Sequence, residues 1–154
     1  MKKILIVLPA IFILALASCK NEEKKTEVTN EKVTADSLMK DINEGHNTGM
    51  SKYGRLTAMQ NEIQRIMDSI SKLPAQTKQA LTPYTAKLDS LAHDLRTAKD
   101  GMDRWMDQFN MDSAINNMGE RLRYLSEERL KVTQVKETIL KSLFLADSVI
   151  KAKF

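Results

Sequence analysis

The chain has 154 residues, with 24 basic and 20 acidic side chains, a formal net charge of +4 at pH 7 and one cysteine. A charge this small, with both signs interleaved, does not indicate a nucleic-acid-binding protein, and one cysteine excludes an intrachain disulfide framework. Five glycines, three prolines and 5% aromatic residues favour helices over a loop-rich or β-sandwich fold.

The N-terminus has the layout of a secretory signal peptide, residues 1–18. Two lysines precede an apolar run over 4–16, and small residues then lead to the only cysteine, Cys19. The alternative is an uncleaved anchor, but about 13 apolar residues are fewer than the roughly 20 that a spanning helix needs. The segment Leu16-Ala17-Ser18-Cys19 resembles the bacterial lipobox. That resemblance implies cleavage before Cys19 and a covalent lipid, with acyl chains such as palmitate, on this residue.

Residues 19–35 are predicted to be a disordered, charged tether that follows the lipidated cysteine. This segment is almost wholly polar and cannot bury enough apolar surface to offset its ordering entropy. Lys20-Asn21-Glu22-Glu23 also resembles the charged signal that directs lipoproteins of Bacteroidota-type bacteria to the outer face of the outer membrane. A plain charged linker is the alternative. We therefore expect an envelope protein anchored in the outer membrane, on its periplasmic or its surface-exposed face.

The first helix of the predicted bundle, residues 36–72, carries two rows of residues at heptad spacing on one face. Asp36 or Ser37 is expected to cap its start, and Pro74 to follow its end. The rows are Met39, His46, Tyr53, Gln60 and Met67, and Ile42, Gly49, Leu56, Ile63 and Ile70.

The second helix is predicted over 76–109, with a bend at Pro83. The alternative is a later start, with Thr82 as the N-cap and Pro83 at the first helical position. The apolar residues alternate in steps of three and four along one face. They are Leu81, Tyr84, Leu88, Leu91, Leu95, Ala98, Met102, Trp105 and Phe109, the last two being the predicted core aromatic residues.

The third helix is predicted over 113–152, capped by Asp112 or Ser113, with a stripe that drifts around Arg129. Its apolar positions are Ile115, Met118, Leu122, Leu125, Val132, Val135, Ile139, Leu143, Ala146 and Ile150. Three long amphipathic helices with short connections predict an all-α, up-down-up antiparallel bundle over residues 36–154.

Catalytic chemistry has little support in the sequence. The chain contains two histidines and no glycine-rich phosphate loop, and His93 lies off the apolar stripe. Glu127 and Glu128 are adjacent, so on a helix they point in different directions and cannot face one substrate together. Because no convergent polar pocket is indicated, we predict a non-enzymatic protein with no catalytic residues.

A second interpretation concerns a cluster of histidine and methionine residues. In an antiparallel hairpin, position 46 lies opposite about position 103, which places His46 and Met50 against Met102, Trp105 and Met106. Imidazole and thioether groups suit Cu(I), so this cluster is a candidate metal site. Packing is the favoured explanation, because methionine and aromatic stripes at helical spacing usually form core. Under that explanation there is no metal ligand and no cofactor other than the covalent lipid on Cys19.

The motif His46-x-x-x-Met50, the segment Gly101-Met102-Asp103-Arg104-Trp105-Met106-Asp107-Gln108-Phe109 and the Lys/Glu-rich third helix resemble small Bacteroidota envelope lipoproteins labelled "viral A-type inclusion protein". The similarity covers roughly residues 38–150. It implies a coiled-coil lipoprotein of unknown function, with no catalytic residues. We therefore expect a structural or protein-binding role, with the membrane and an unidentified envelope protein as partners. The sequence does not define the oligomeric state. One alternative is an extended coiled-coil oligomer, in which the apolar stripes pair between chains.

Overall fold

The computed structural model describes residues 20–152, with side chains described from residue 30 onward. Its elements are α1 (Lys20–Ser71), α2 (Ala75–Ala80), α3 (Thr82–Gln108) and α4 (Met118–Lys151). The predicted all-α class is therefore confirmed for these residues, with four helices in place of the three expected. The predicted signal peptide and lipidated Cys19 lie outside the described residues.

Helix α1 begins at Lys20, whereas the sequence pattern predicts a disordered tether over 19–35 and a helix start at 36. The described part of that tether is helical, so Asp36 and Ser37 lie inside the helix and do not cap it. The segment contains neither glycine nor proline and is rich in Glu and Lys, which have good helix propensity. Extending an existing helix by one residue also avoids the cost of nucleation. Polarity alone was therefore a poor guide to this helix start.

The second predicted helix is divided at Leu81, which lies between α2 and α3 with φ −90° and ψ 0°. The break falls two residues before Pro83, because proline has no N–H to continue the helical ladder and its ring crowds the preceding turn. The predicted early start is close to the observed start at Ala75. Thr82 is the first residue of α3 and not its N-cap, and Leu81 makes no capping hydrogen bond through its side chain.

Helix α4 begins at Met118, five residues later than predicted. Its N-cap is Asn117, whose Oδ1 accepts a hydrogen bond from the backbone N–H of Glu120 at 3.2 Å. Asp112 and Ser113 belong instead to the turns over 109–117, where Ala114 has a positive φ of 55°. Ile115, predicted as a core residue, is consequently 58% exposed.

Contacts between helices establish their relative directions. His46 on α1 meets Met106 on α3, and Tyr53 meets Asp103, so these two helices run antiparallel. Ion pairs join Asp41 to Arg129 and Arg55 to Asp147, so α1 and α4 run in the same direction. Helices α3 and α4 are antiparallel, since Trp105 contacts Glu128 and Asp94 contacts Ser142.

The core lies along the shared axis of α1, α3 and α4. On α1 the predicted row of Ile42, Gly49, Leu56, Ile63 and Ile70 is buried and continues one heptad earlier to Ala35, while the other predicted row is only half-buried. Leu38 is buried in place of Met39. Buried side chains on α3 and α4 are Leu88, Leu91, Leu95, Ala98, Met102, Trp105, Leu125, Val132, Ile139, Leu143 and Ala146. Two polar residues, Glu128 and Ser142, are buried beside them. Within residues 20–152, no helix is sufficiently long and apolar to traverse a lipid bilayer.

Candidate functional site

A row of stacked rings crosses the bundle from α1 through α3 to α4. The His46 and Trp105 ring centroids are 5.7 Å apart and tilted by 38°. Trp105 stacks on Phe109 at 5.0 Å, and Phe109 lies 6.2 Å from Tyr124 at an interplanar angle of 11°. We call His46, Trp105, Phe109 and Tyr124 the aromatic row. It brings together the two predicted core aromatic residues, of which Trp105 is 6% exposed and Phe109 half-buried.

A buried carboxylate lies beside this row. Glu128 is 4% exposed, and its Oε2 accepts a hydrogen bond from the Trp105 indole N–H at 3.0 Å. Its Oε1 lies 2.7 Å from the Lys131 ammonium, which is half exposed to solvent. Each carboxylate oxygen therefore has a partner, as burial of a charge demands. The ammonium's contact with Glu128 is also the main cause that raises the pKa of Lys131.

Glu128 is not among the predicted site residues, although the sequence carries a signal for it. Glu128 is three residues after Leu125 and four before Val132, which places it on the apolar stripe at the point where that stripe drifts toward Arg129. Its neighbour Glu127 is exposed, which agrees with the prediction that the two carboxylates point in different directions.

Two of the four candidate metal ligands, His46 and Met106, are in contact in the structure. The His46 Nε2 lies 3.3 Å from the Met106 Sδ, and its Nδ1 lies 3.2 Å from the Asn47 Oδ1. Met102 is fully buried, and a Cβ added at Gly49 would collide with its terminal methyl group. Met102 therefore occupies the space that the missing glycine side chain leaves in the core. Met50 is half-buried and packs against the same core.

Carboxylate and imidazole groups do not converge elsewhere in the described chain. Among the side chains that the structure describes, residues 30–152, there is no group of three or more His, Cys, Asp or Glu that could hold a metal ion. The second histidine, His93, is exposed, as predicted, with its Nε2 3.5 Å from the Thr97 hydroxyl on the same helix.

A second polar cluster joins α1 to α3 one to two turns from the aromatic row. The Tyr53 hydroxyl donates to Asp103, with oxygen–oxygen distances of 2.6 and 2.8 Å to the two carboxylate oxygens. The Lys99 ammonium lies 3.2 Å from the same carboxylate and 4.7 Å from the centroid of the Tyr53 ring. The hydrogen bond from Tyr53, followed by that from Lys99, lowers the pKa of Asp103 below its usual value. These three side chains satisfy one another across the helix interface.

Comparison with known proteins gives no relative for this chain: no protein family, curated protein or solved structure matches it.

Proposed function

We propose that this chain is a lipid-anchored, non-enzymatic protein of the bacterial cell envelope, with a structural or protein-binding role. In this proposal its three long helices form one up-down-up bundle, held to the membrane through a lipid on Cys19. The observation that carries it is the segment Leu16-Ala17-Ser18-Cys19 at the end of an apolar run. Helix α1 begins at the next residue, Lys20.

The polar clusters of the bundle support a structural role. Glu128 is paired with Trp105 and Lys131, and Asp103 with Tyr53 and Lys99. Each carboxylate is therefore committed to partners on the bundle itself, and neither is aimed into an open pocket as a catalytic acid or base must be. These clusters act as braces between helices. The similarity to envelope lipoproteins labelled "viral A-type inclusion protein" agrees with this role, and outer-membrane localisation remains part of the proposal.

The test is acyl labelling of the full-length chain in a bacterial host, with Cys19→Ala as the variant and Ser18→Gly as the control. Cys19→Ala removes the only thiol, so labelling and membrane retention are expected to be lost. Ser18→Gly keeps a small residue before the cysteine and should be labelled like the parent. Equal labelling of the Cys19→Ala variant and the parent would contradict the proposal.

Cu(I) handling is the second candidate function, and the 3.3 Å contact between the His46 Nε2 and the Met106 Sδ favours it. The burial of Met102 over Gly49 favours packing instead. The discriminating measurement is a Cu(I) titration of the parent, His46→Leu and Met102→Leu. Because both variants roughly keep side-chain volume, packing predicts near-native folding and no saturable binding in any of the three. Saturable binding in the parent that both variants lose would establish the metal site.

A further inference from the structure

Helices α1 and α4 leave two shallow grooves along the side of their contact that faces away from α3. One groove is lined by Asp41, Glu44 and Thr48 of α1 together with Leu130 of α4. The other is lined by Lys52 and Arg55 of α1 together with Phe144 of α4. We call these seven residues the outer seam. Neither groove is lined by a residue of α3, so the outer seam is the solvent side of the α1–α4 pair.

Two large apolar side chains of the outer seam have no cover. Leu130 is 65% exposed and Phe144 is 70% exposed. They are fourteen positions apart, which places them about 40° apart around the helix and about 21 Å apart along it. They therefore lie on one face of α4, near opposite ends of the outer seam. Exposed apolar side chains grouped in this way are typical of contact surfaces.

The charges of the outer seam are arranged symmetrically along α1. Asp41 and Glu44 lie on one side of Thr48, at distances of seven and four residues. Arg55 and Lys52 lie on the other side of Thr48 at the same distances. A half-turn rotation about an axis at Thr48 therefore exchanges each acidic position with a basic one. The α1 side of the outer seam is therefore electrostatically complementary to a second copy of itself in the antiparallel orientation. The α4 side adds Arg129 and Lys136 to the first groove and Asp147 to the second.

We infer that a second copy of this chain packs on the outer seam, antiparallel to the first, with the two-fold axis at Thr48. Asp41 then faces the partner's Arg55, and Glu44 faces the partner's Lys52. The side chains of Asp41 and Arg55 are 46% and 56% exposed despite their ion pairs with Arg129 and Asp147. Each can therefore reach an additional partner without leaving its present one.

The register between α1 and α4 places the two-fold axis at nearly the same level. The ion pairs Asp41–Arg129 and Arg55–Asp147 span 88 and 92 positions of sequence, so Thr48, midway between Asp41 and Arg55, is level with about residue 138 of α4. The midpoint between Leu130 and Phe144 is residue 137, one position from that level. A two-fold axis at Thr48 therefore brings Leu130 level with the partner's Phe144, so that each covers the other. The two copies of Glu137 meet near the axis, where Lys136, 3.1 Å from Glu137, offsets their repulsion.

The first test is crosslinking of the full-length chain in cells with a short, membrane-permeant bismaleimide. Thr48→Cys places a thiol at the axis and is expected to give a covalent dimer well above the parent, whose Cys19 sets the background. Thr97→Cys, on the exposed side of α3, is the matched control and should stay at background. The inferred register also predicts that co-expressed Asp41→Cys and Arg55→Cys chains crosslink to each other more than either crosslinks to itself.

The second test is charge reversal, with sedimentation equilibrium of the purified chain as the readout. Asp41→Lys with Glu44→Lys turns attraction into repulsion at four symmetry-related contacts and should weaken the dimer roughly tenfold to a hundredfold. Adding Lys52→Glu and Arg55→Glu restores complementarity and should recover dimerisation. Circular dichroism of each variant checks that the bundle is folded.

The inference does not depend on the lipid anchor, because neither test uses lipidation as a readout. Crosslinking of Thr48→Cys at only the background level would overturn the antiparallel pairing. The pairing would also be overturned if Asp41→Cys crosslinked to itself as much as to Arg55→Cys. Failure of the quadruple charge variant to recover dimerisation would overturn the charge pairing.

Discussion

Glu128 is a carboxylate at a buried position of an otherwise apolar stripe. A charged carboxylate on an apolar stripe is costly to bury, and it persists here because the Trp105 indole and the Lys131 ammonium satisfy its two oxygens. The hydrogen bond to Trp105 links α3 to α4 at a defined position. An apolar residue at 128 would fill the space but would leave the indole N–H without its acceptor.

Substitution of Glu128 measures the value of that acceptor. Glu128→Gln retains a carbonyl oxygen for Trp105 and should cost about 1 kcal/mol of unfolding free energy, whereas Glu128→Leu should cost about 2 kcal/mol. Glu127→Gln, at the exposed neighbouring position, is the control and should change stability by less than about 0.5 kcal/mol. Urea unfolding followed by the fluorescence of Trp105, the only tryptophan, gives all three values. Equal stability of the Leu and Gln variants would show that the hydrogen bond contributes nothing.

Two glycines of α1 should respond differently to alanine. Each Gly→Ala change gains up to about 1 kcal/mol of helix stability. At Gly54 no atom lies within 4 Å of the added Cβ, so Gly54→Ala should be stabilising. At Gly49 the Cβ meets the terminal methyl of the fully buried Met102. This methyl must shift within the core, and overpacking there offsets part or all of the gain in helix stability, so Gly49→Ala should be less stable than Gly54→Ala by about 1 kcal/mol or more. Thermal unfolding measures both, and Met102→Leu should relieve the defect of Gly49→Ala if the collision is its cause.

At the scale of elements, the Tyr53–Asp103–Lys99 cluster ties α1 to α3 and should make their association sensitive to acid. The pKa of Asp103 is lowered in the folded chain, chiefly by the hydrogen bond from Tyr53. A lowered carboxylate pKa stabilises the folded state fully above the unfolded pKa, near about 4, and this contribution is lost as the pH falls through the folded pKa. The parent should therefore lose stability more steeply below about pH 4 than Tyr53→Phe does.

The measurement is urea unfolding at several pH values for the parent, Tyr53→Phe and Tyr124→Phe. Tyr124 also uses its hydroxyl in a contact between segments, where it accepts from the backbone N–H of Asn110 at 2.7 Å. That partner does not titrate, so Tyr124→Phe should lower stability without changing the slope below about pH 4. Parallel pH profiles for the parent and Tyr53→Phe would contradict the role assigned to this cluster.

The helices also show which parts of the fold can be predicted from the sequence. The step pattern from Leu88 to Trp105 predicted the buried face of α3 because each position lies in the helix interior, where apolar burial is the main energetic term. Helix ends depend on smaller competing energies. Asn117 caps α4 in place of Asp112 because the intervening residues form turns that no apolar pattern marks. The contact of His46 with Met106 depends on the register between α1 and α3, and the predicted position opposite residue 46, about 103, is three residues short of the observed one.

At the scale of the whole molecule, antiparallel pairing has a geometric consequence for the proposed anchor. Helix α1 extends from Lys20 past Thr48 to Ser71, and the 28 residues from Lys20 to the inferred axis span about 42 Å at 1.5 Å per residue. The two α1 N-termini of such a dimer would therefore lie about 85 Å apart, at opposite ends. With a lipid at each Cys19, the dimer would either connect two membrane surfaces or lie along one.

The bundle is expected to unfold as one unit, and Leu91 provides the means to test this. Leu91 is 5% exposed in the middle of α3, so Leu91→Asp buries a carboxylate without a partner and should cost about 3–5 kcal/mol. Ser90→Asp introduces the same charge at the exposed adjacent position and should be nearly neutral.

Circular dichroism reports all the helices, while Trp105 fluorescence reports a site about 21 Å further along α3. In a cooperative bundle both signals shift together in Leu91→Asp, because neither end of α3 is stable without the other. A lowered dichroism midpoint with an unchanged Trp105 transition would instead show that the aromatic row folds independently of the middle of α3.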